Sequence, residues 1–200
     1  MSAQSQSPLL FDGWISQAKS KNETLVRNAT LVLGLVVLTA LCAQVSIPLP
    51  FTPVPLTLQT FAVLGGAAAL GAERAVLAQT LYVGLAWLGL PILAEHKGGH
   101  EVVIGVTGGY LVGFIVASYV VGVISKRGAT RNVWATIAAF VAGSLVIYTL
   151  GVSWLAHSTG MSISAAISAG MTPFLIGDVI KALAAGALLP SVWKFIDSKK

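Results

Sequence analysis

Long apolar stretches, separated by short clusters of charge, follow one another from residue 28 onward. Asp, Glu, Lys and Arg are absent from four runs, which are 45 residues between Arg27 and Glu73, 20 between Arg74 and Glu95, 24 between Glu101 and Lys126, and 46 between Arg131 and Asp178. A membrane-spanning helix needs about 20 predominantly apolar residues. The runs of 20 and 24 residues therefore fit one helix each, the run of 45 fits two helices and a loop, and the run of 46 fits one helix, a loop and the start of another.

These runs predict an all-α protein, an integral membrane bundle of six transmembrane helices. Strands are not indicated, because runs such as Leu31–Leu38 are apolar on every face and a backbone in lipid must satisfy its own hydrogen bonds. Residues 1–23 form a polar N-terminal segment with a short surface helix around Trp14 and Ile15, ahead of a membrane domain over 24–200. The predicted spans are Thr24–Val45, Leu56–Leu70, Ala75–Leu90, Val103–Ser125, Val133–Ala156 and Thr172–Phe195.

The basic residues predict the orientation of the bundle. Six spans place both termini on one side, and that side holds ten of the twelve Lys and Arg residues. The other side holds Lys97 alone, and Lys181 lies within the last span. Because cytoplasmic loops carry an excess of Lys and Arg, both termini and the segment 1–23 are predicted to be cytoplasmic.

Composition narrows the function classes. Hydrophobic residues make up 56% of the 200 residues and charged residues 10%, against about 25% charged in a typical soluble domain. This excludes most nucleic-acid binders and cytosolic enzymes and makes membrane lipid the surroundings of the chain. The sequence has no P-loop and no nucleophile–base set at membrane depth, so we expect neither ATP binding by that motif nor an enzyme. No cofactor is expected, and no metal, since Gly98 and Gly99 argue against a helix that would pair His96 with His100.

Asp178 and Lys181 are the two charges that fall inside a predicted span. A charge at the centre of a spanning helix costs about 2.5–3.5 kcal/mol on insertion scales, so it needs a partner or a wet cavity. The i, i+3 spacing puts both side chains on one helix face. One interpretation is an ion pair that only neutralises itself. The other is a polar ligand site, in which Asp178 accepts N–H donors and Lys181 donates to a carbonyl or carboxylate.

The segment Gly105–Phe114 lies at the external end of the fourth predicted span. Its paired glycines, Gly108 and Gly109, permit a tight turn or let a ligand approach the backbone. Thr107 and Tyr110 supply hydroxyl groups. From these residues alone, a ligand-binding segment and a helix start packed through small residues are equally supported.

Four of the eight prolines fall between Pro48 and Pro55 in the first external loop, 46–57. Proline fixes φ and removes a backbone donor, so this uncharged segment is predicted to be stiff and extended. It serves either as a cover over a cavity or as a rigid connector. Gln59 and Thr60 follow just inside the second span and can point polar groups into the same cavity.

These motifs occur in the same order in one known family. The sequence resembles the biotin transporter BioY family, the substrate-binding S components of energy-coupling factor (ECF) importers, from about Ala29 to Trp193. The resemblance rests on Pro48–Pro55, Thr57–Phe61, Gly89–Pro91, Thr107–Leu111, and Gly177–Asp178 with Lys181.

The resemblance implies a six-helix protein of the bacterial or archaeal cytoplasmic (inner) membrane that captures biotin from outside. It implies that Asp178 and Lys181 bind the polar groups of biotin, together with the segment Thr107–Tyr110 and residues near Gln59 and Tyr82. The loop 94–101 departs from the family pattern, and Val106 replaces a proline. Within that loop Lys97 is either a ligand for the valerate carboxylate or a solvated charge.

The resemblance also implies partners. Uptake is driven by a separate coupling membrane protein and a pair of ABC-type ATPases, and docking on the coupling protein is expected through small residues of the first helix, here Gly34, Thr39 and Ala43. Two other functions stay open, an S component for another vitamin and a proton-coupled secondary transporter of a small polar solute. The sequence leaves a monomer and a homo-oligomer equally open.

Overall fold

The computed structural model describes residues 9–14 and 20–198. Within these residues the chain is mostly helical, and a two-stranded antiparallel hairpin pairs Ser46–Ile47 (β1) with Leu56–Thr57 (β2). The helices are α1 (Leu10–Trp14), α2 (Lys21–Gln44), α3 (Gln59–Leu70), α4 (Ala72–Trp87), α5 (His100–Val103), α6 (Gly108–Lys126), α7 (Val133–Thr159), α8 (Ile163–Gly170) and α9 (Leu175–Asp197). Short 3₁₀ turns cover Ala94–His96, Ala129–Arg131 and Thr172–Phe174.

Helix α6 lies at the centre of the bundle. It packs against α3, α4 and α7, while α2 covers α3 and α4, and α9 packs on α7 and α3. Among the described residues, four helical stretches are long and apolar enough to cross a membrane, namely Lys21–Gln44, Gly108–Lys126, Val133–Thr159 and Ile163–Asp197. Helices α3 and α4 are shorter than such a span, at 12 and 16 residues.

Helix ends follow from local capping. Ser20, Asn132 and Ser162 precede α2, α7 and α8, and each side chain accepts a hydrogen bond from a backbone N–H three residues on. These bonds satisfy donors that the first turn leaves free. The α3–α4 joint is a single residue, Gly71, whose φ of 82° is one that residues with a Cβ rarely adopt.

The predicted start of the fourth span at Val103 is wrong. Helix α5 ends at Val103, and α6 begins only at Gly108. The Gly105 carbonyl accepts a hydrogen bond from Trp154 Nε1 of α7 at 2.8 Å, and the Gly108 N–H also bonds to it at 3.0 Å. The chain therefore turns between the two helices.

Other predicted bounds also shift. Leu56 and Thr57 belong to the hairpin rather than to the second span, and the last helix begins at Leu175, after the 3₁₀ turn. Helix α8 lies in a segment for which the sequence predicts a loop. At the N-terminus the helix Leu10–Trp14 overlaps the predicted surface helix at Trp14, and Ile15 lies outside the described residues. Leu9 and Leu10 at its start are buried.

Candidate functional site

A cavity of ≈ 350 Å³ lies between the Pro-rich hairpin, the segment 93–107 that contains α5, and helices α3, α6, α7 and α9. Its size is within the range of small-molecule sites, about 300–1,000 Å³, and its walls are mostly apolar with a few polar groups, as in such sites. The lining residues are Pro53, Val54, Pro55, Leu56, Thr57, Gln59, Thr60, Leu93, Ala94, Glu95, Lys97, Val102, Gly105, Val106, Thr107, Tyr110, Leu111, Phe114, Ile147, Tyr148, Phe174, Asp178 and Lys181.

Asp178 and Lys181 form an ion pair in the cavity wall. Lys181 Nζ lies 3.1 Å from Asp178 Oδ1, and the two side chains are 12% and 13% exposed. The ammonium also donates to the Thr57 carbonyl at 2.9 Å and to Thr60 Oγ1 at 2.7 Å. Three acceptors thus match the three N–H donors of the ammonium. Burial of the pair is offset by hydrogen bonds from two other elements, β2 and α3.

The Asp178 carboxylate is held from two further directions. Thr60 Oγ1 donates to Oδ1 at 3.3 Å, and the Tyr148 hydroxyl donates to Oδ2 at 2.5 Å. A carboxylate has about four acceptor positions. Lys181, Thr60 and Tyr148 occupy three of these positions, so one acceptor position remains, on Oδ2. Asp178 lines the cavity. This position can receive one N–H donor from a ligand.

Gln59 and Tyr82 form a second polar chain, behind the first. Gln59 Nε2 donates to the Tyr82 hydroxyl at 2.8 Å, and that hydroxyl donates to the Ile92 carbonyl at 2.9 Å. Gln59 Oε1 accepts a bond from Thr57 Oγ1 at 3.1 Å. Gln59 lines the cavity, whereas Tyr82 is fully buried and is absent from its lining. Tyr82 therefore orients Gln59 from behind.

In the segment Thr107–Tyr110, two residues fit a ligand-binding segment and two fit a helix start packed through small residues. Thr107 and Tyr110 line the cavity, and Tyr110 donates a 2.8 Å hydrogen bond to the Gly170 carbonyl. Gly108 and Gly109 do not line it. A Cβ at Gly109 would collide with Trp154 of α7, and a Cβ at Gly108 would press on the same indole and on the Val103 carbonyl. The two glycines thus allow close packing of α6 on α7.

Lys97 lies in the cavity wall and pairs with Glu95 at 2.5 Å. Glu95 and His96 both adopt left-handed backbone angles, with φ of 59° and 56°. The loop is held by Gln44 of α2, which accepts from the His96 N–H at 3.2 Å and donates to the Leu93 carbonyl at 3.1 Å. The divergent loop is therefore ordered and contributes one charge of each sign to the cavity.

The Pro-rich segment covers part of the cavity. Pro53, Val54, Pro55 and Leu56 line it, and Val54 is buried. The hairpin fixes the two ends of the segment, because Ser46 pairs with Thr57 and Ile47 with Leu56. Of the two interpretations, the cover is the one that this geometry supports.

Two of the three residues predicted to form a docking face on α2 are buried inside the protein. Thr39 and Ala43 have no exposed area. Thr39 faces α4, where it accepts a 3.1 Å bond from Gln79 Nε2. Gly34 is exposed, and a Cβ added to it would meet no atom within 4 Å. Of the three residues, Gly34 alone is accessible to a partner.

Three residues of the site were not among the sequence predictions. Tyr148 is an isolated phenol within a charge-free span, and this was the one signal that could have drawn attention to it. Glu95 and Gln44 gave no local signal, since an acid in an external loop and an amide at a helix end are both ordinary. Their roles come from contacts with other residues of the fold.

Relatives of known name place the chain in a family. The family model described as BioY family matches residues 15–198. The chain is 41% identical to the biotin transporter BioY of Thermotoga maritima over 142 residues, covering 71% of this chain and 82% of that protein. It is 35% identical to the biotin transporter BioY of Rhodobacter capsulatus over 182 residues, covering 84% and 94%.

A solved structure shares the fold. The chain aligns with the crystal structure of the S-component for biotin from an ECF-type ABC transporter with a TM-score of 0.78, over 88% of this chain and 95% of that chain, at 22% identity. The family match and the relatives confirm the resemblance drawn from the motifs. The chain belongs to the BioY family.

Proposed function

We propose that this protein binds biotin and takes it up across the cytoplasmic membrane as the S component of an ECF-type ABC importer. The observation that carries the proposal is the cavity built around Asp178 and Lys181 in a member of a family whose relatives are named biotin transporters. The protein is a transport component, not an enzyme.

The polar groups of biotin match the donors and acceptors of the site. Its ureido ring has two N–H donors and one carbonyl. The remaining acceptor position of Asp178 takes a ureido N–H, and Lys181 exchanges one of its protein acceptors for the carbonyl oxygen. Gln59, Thr107 and Tyr110 are the further cavity groups that contact the ligand, with Gly108, Gly109 and Tyr82 supporting them from behind.

The valerate carboxylate is assigned to Lys97. This is the second ammonium in the cavity lining, and the first, Lys181, already pairs with Asp178 and is assigned to the ureido carbonyl. A charge-assisted bond between an ammonium and a carboxylate is among the stronger hydrogen bonds.

The proposed topology is six membrane helices, α2, α3, α4, α6, α7 and α9, with both termini cytoplasmic. The segment 1–23 is its cytoplasmic N-terminal part and 24–200 its membrane domain. The support is the charge distribution, since Arg74, Lys126, Arg131 and Lys194 all fall on one side of such a bundle. On that side Arg74 pairs with Asp12, and Arg131 pairs with Asp197.

The partners proposed are a coupling membrane protein and a pair of ABC ATPases. Of the predicted docking residues Gly34 remains, and it lies beside Leu33 and Val37, which are exposed on the same side of α2.

Binding of biotin to the purified, detergent-solubilised protein tests the function. We expect tight binding by the parent and loss of binding in Asp178→Asn and Lys181→Ala. Lys194→Ala removes an exposed charge from the far end of the same helix and is the matched control, expected to bind like the parent. Absence of binding by the parent, or unchanged binding in both site variants, would contradict the assignment.

Competition separates the alternatives. Excess thiamine or riboflavin should leave bound biotin in place, and displacement by either would favour an S component for another vitamin. Uptake in vesicles that lack the ATPases but carry a proton gradient would favour the proton-coupled transporter.

A further inference from the structure

The Glu95–Lys97 ion pair places a carboxylate of the protein beside the ammonium that faces the cavity. Nζ and Oε2 are 2.5 Å apart, and both residues line the cavity. The Glu95 side chain is 33% exposed and that of Lys97 58%. Glu95 also has a left-handed backbone, which costs energy for a residue with a Cβ and is found preferentially where a site requires it.

The two positive and two negative side chains in the cavity wall balance one another. Four charged side chains among the described residues line it, Asp178 and Glu95 with Lys181 and Lys97. A ligand carboxylate would add a negative charge to this balanced set, next to Glu95. Within the part of the chain that the structure describes, the Lys97 ammonium has one charged partner, the Glu95 carboxylate. A ligand carboxylate that binds Lys97 therefore competes with Glu95 for the same ammonium.

The backbone of the loop is held by hydrogen bonds to several groups, whereas the Glu95 carboxylate is held by its ion pair with Lys97. The Leu93 N–H bonds to the Lys97 carbonyl at 3.0 Å, and the His96 N–H bonds to Gln44 Oε1 at 3.2 Å. These bonds leave the side-chain torsions of Glu95 as the freedom by which its carboxylate can leave Lys97. Its partial exposure gives the displaced carboxylate access to water.

We propose that Glu95 is an internal competitor of the ligand. Its carboxylate occupies Lys97 in the empty protein, and the carboxylate of an anionic ligand displaces it. This inference rests on the proposed biotin function and deepens it, because it makes Glu95 the residue that sets the preference between an acid and its neutral derivative. Glu95 lowers the affinity for the acid and leaves that for the amide nearly unchanged.

Binding isotherms of biotin and of biotinamide, its neutral amide, test the inference. The variants are Glu95→Gln, Lys97→Gln and the control Glu101→Gln, which removes an exposed negative charge from the same region outside the cavity lining. Exposed ion pairs contribute amounts that correspond to about two- to fivefold in affinity. We expect Glu95→Gln to bind biotin about two- to fivefold more tightly and biotinamide as the parent does. Lys97→Gln should weaken biotin alone, and Glu101→Gln should change neither.

The acid-to-amide ratio distinguishes this role from a structural one. A loop disturbed by the substitution would change both ligands together. The inference is overturned if Glu95→Gln binds biotin no more tightly than the parent, or if biotinamide gains as much as biotin. In either case a parent that binds biotin keeps the proposed function intact. A parent that binds neither ligand overturns both.

Discussion

The Tyr148 hydroxyl donates to Asp178 Oδ2 across the interface of α7 and α9, with 2.5 Å between the oxygens. The bond holds the Asp178 carboxylate in place in the cavity wall. Its remaining acceptor position on Oδ2 can then receive an N–H donor from a ligand. Hydrogen bonds to charged groups contribute about 1.5–3 kcal/mol to the stability of a folded protein.

Tyr148→Phe should weaken biotin binding about two- to tenfold, because binding must then also order the released Asp178 side chain, at about 0.5–1.5 kcal/mol per side chain. Isothermal titration with the purified protein measures this. Tyr119→Phe is the control, because Tyr119 is exposed at 59% on α6 and should bind like the parent. Parent-like affinity in Tyr148→Phe would show that the phenol does not orient the carboxylate.

Tyr82→Phe should lower the stability of the protein strongly and its affinity for biotin less. The substitution removes the acceptor of Gln59 Nε2 and the donor to the Ile92 carbonyl. Leaving a buried polar group unpaired costs about 1–3 kcal/mol, so thermal unfolding in detergent should occur at a clearly lower temperature. A smaller fall in biotin affinity should accompany it, because Gln59 is no longer oriented. An unchanged melting temperature would contradict the role assigned to Tyr82.

Gly109→Ala should destabilise the α6–α7 interface. A Cβ there would collide with the Leu150 carbonyl and the Trp154 side chain, and overpacking costs about 1–3 kcal/mol. Gly84→Ala is the matched helical control, since a Cβ at Gly84 meets no atom within 4 Å. It should keep or slightly raise the melting temperature, because alanine is favoured over glycine in a helix by about 0.5–1 kcal/mol. Equal melting temperatures for the two variants would contradict the packing role.

Gln44→Leu should loosen the loop 93–97. It removes the acceptor of the His96 N–H and the donor to the Leu93 carbonyl. Hydrogen exchange at the His96 amide should accelerate, and biotin affinity should fall because Lys97 is less well placed. Gln44→Glu keeps an acceptor for His96 and should retain slower exchange than Gln44→Leu. Slow exchange in Gln44→Leu would mean that the loop is held by other contacts.

Single-cysteine labelling tests the proposed topology. In a Cys42→Ser background, Ser158→Cys lies near the end of α7 on the proposed external side, and Ser198→Cys follows α9 on the cytoplasmic side. Both positions are exposed. A membrane-impermeant maleimide should label the first in intact cells and the second only after permeabilisation. The reverse pattern would invert the proposed orientation.

The features that the sequence predicted well depend on local or one-dimensional signals. Charge-free runs located the long helices, and the spacing of Asp178 and Lys181 predicted a shared helix face, which the 3.1 Å ion pair confirms. The Pro-rich segment predicted an extended loop, and the hairpin and cavity wall agree with it.

The features that the sequence did not predict depend on contacts between distant residues. The break between α5 and α6 involves Trp154, which is 49 residues from Gly105. Whether Thr39 and Ala43 face a partner or the interior depends on where α4 packs, and the spacing of small residues does not contain that information. Tyr148 becomes a site residue only because α9 brings Asp178 to it.

The hydrogen bond from Lys181 to the Thr57 carbonyl joins the outer cover of the cavity to the charge at its wall. Thr57 is the last residue of the hairpin whose two strands hold the Pro-rich segment between them. Displacement of β2 by an arriving molecule would therefore free an N–H of the ammonium at the same moment. Entry of the solute into the cavity would then be coupled directly to the release of the Lys181 ammonium that binds it.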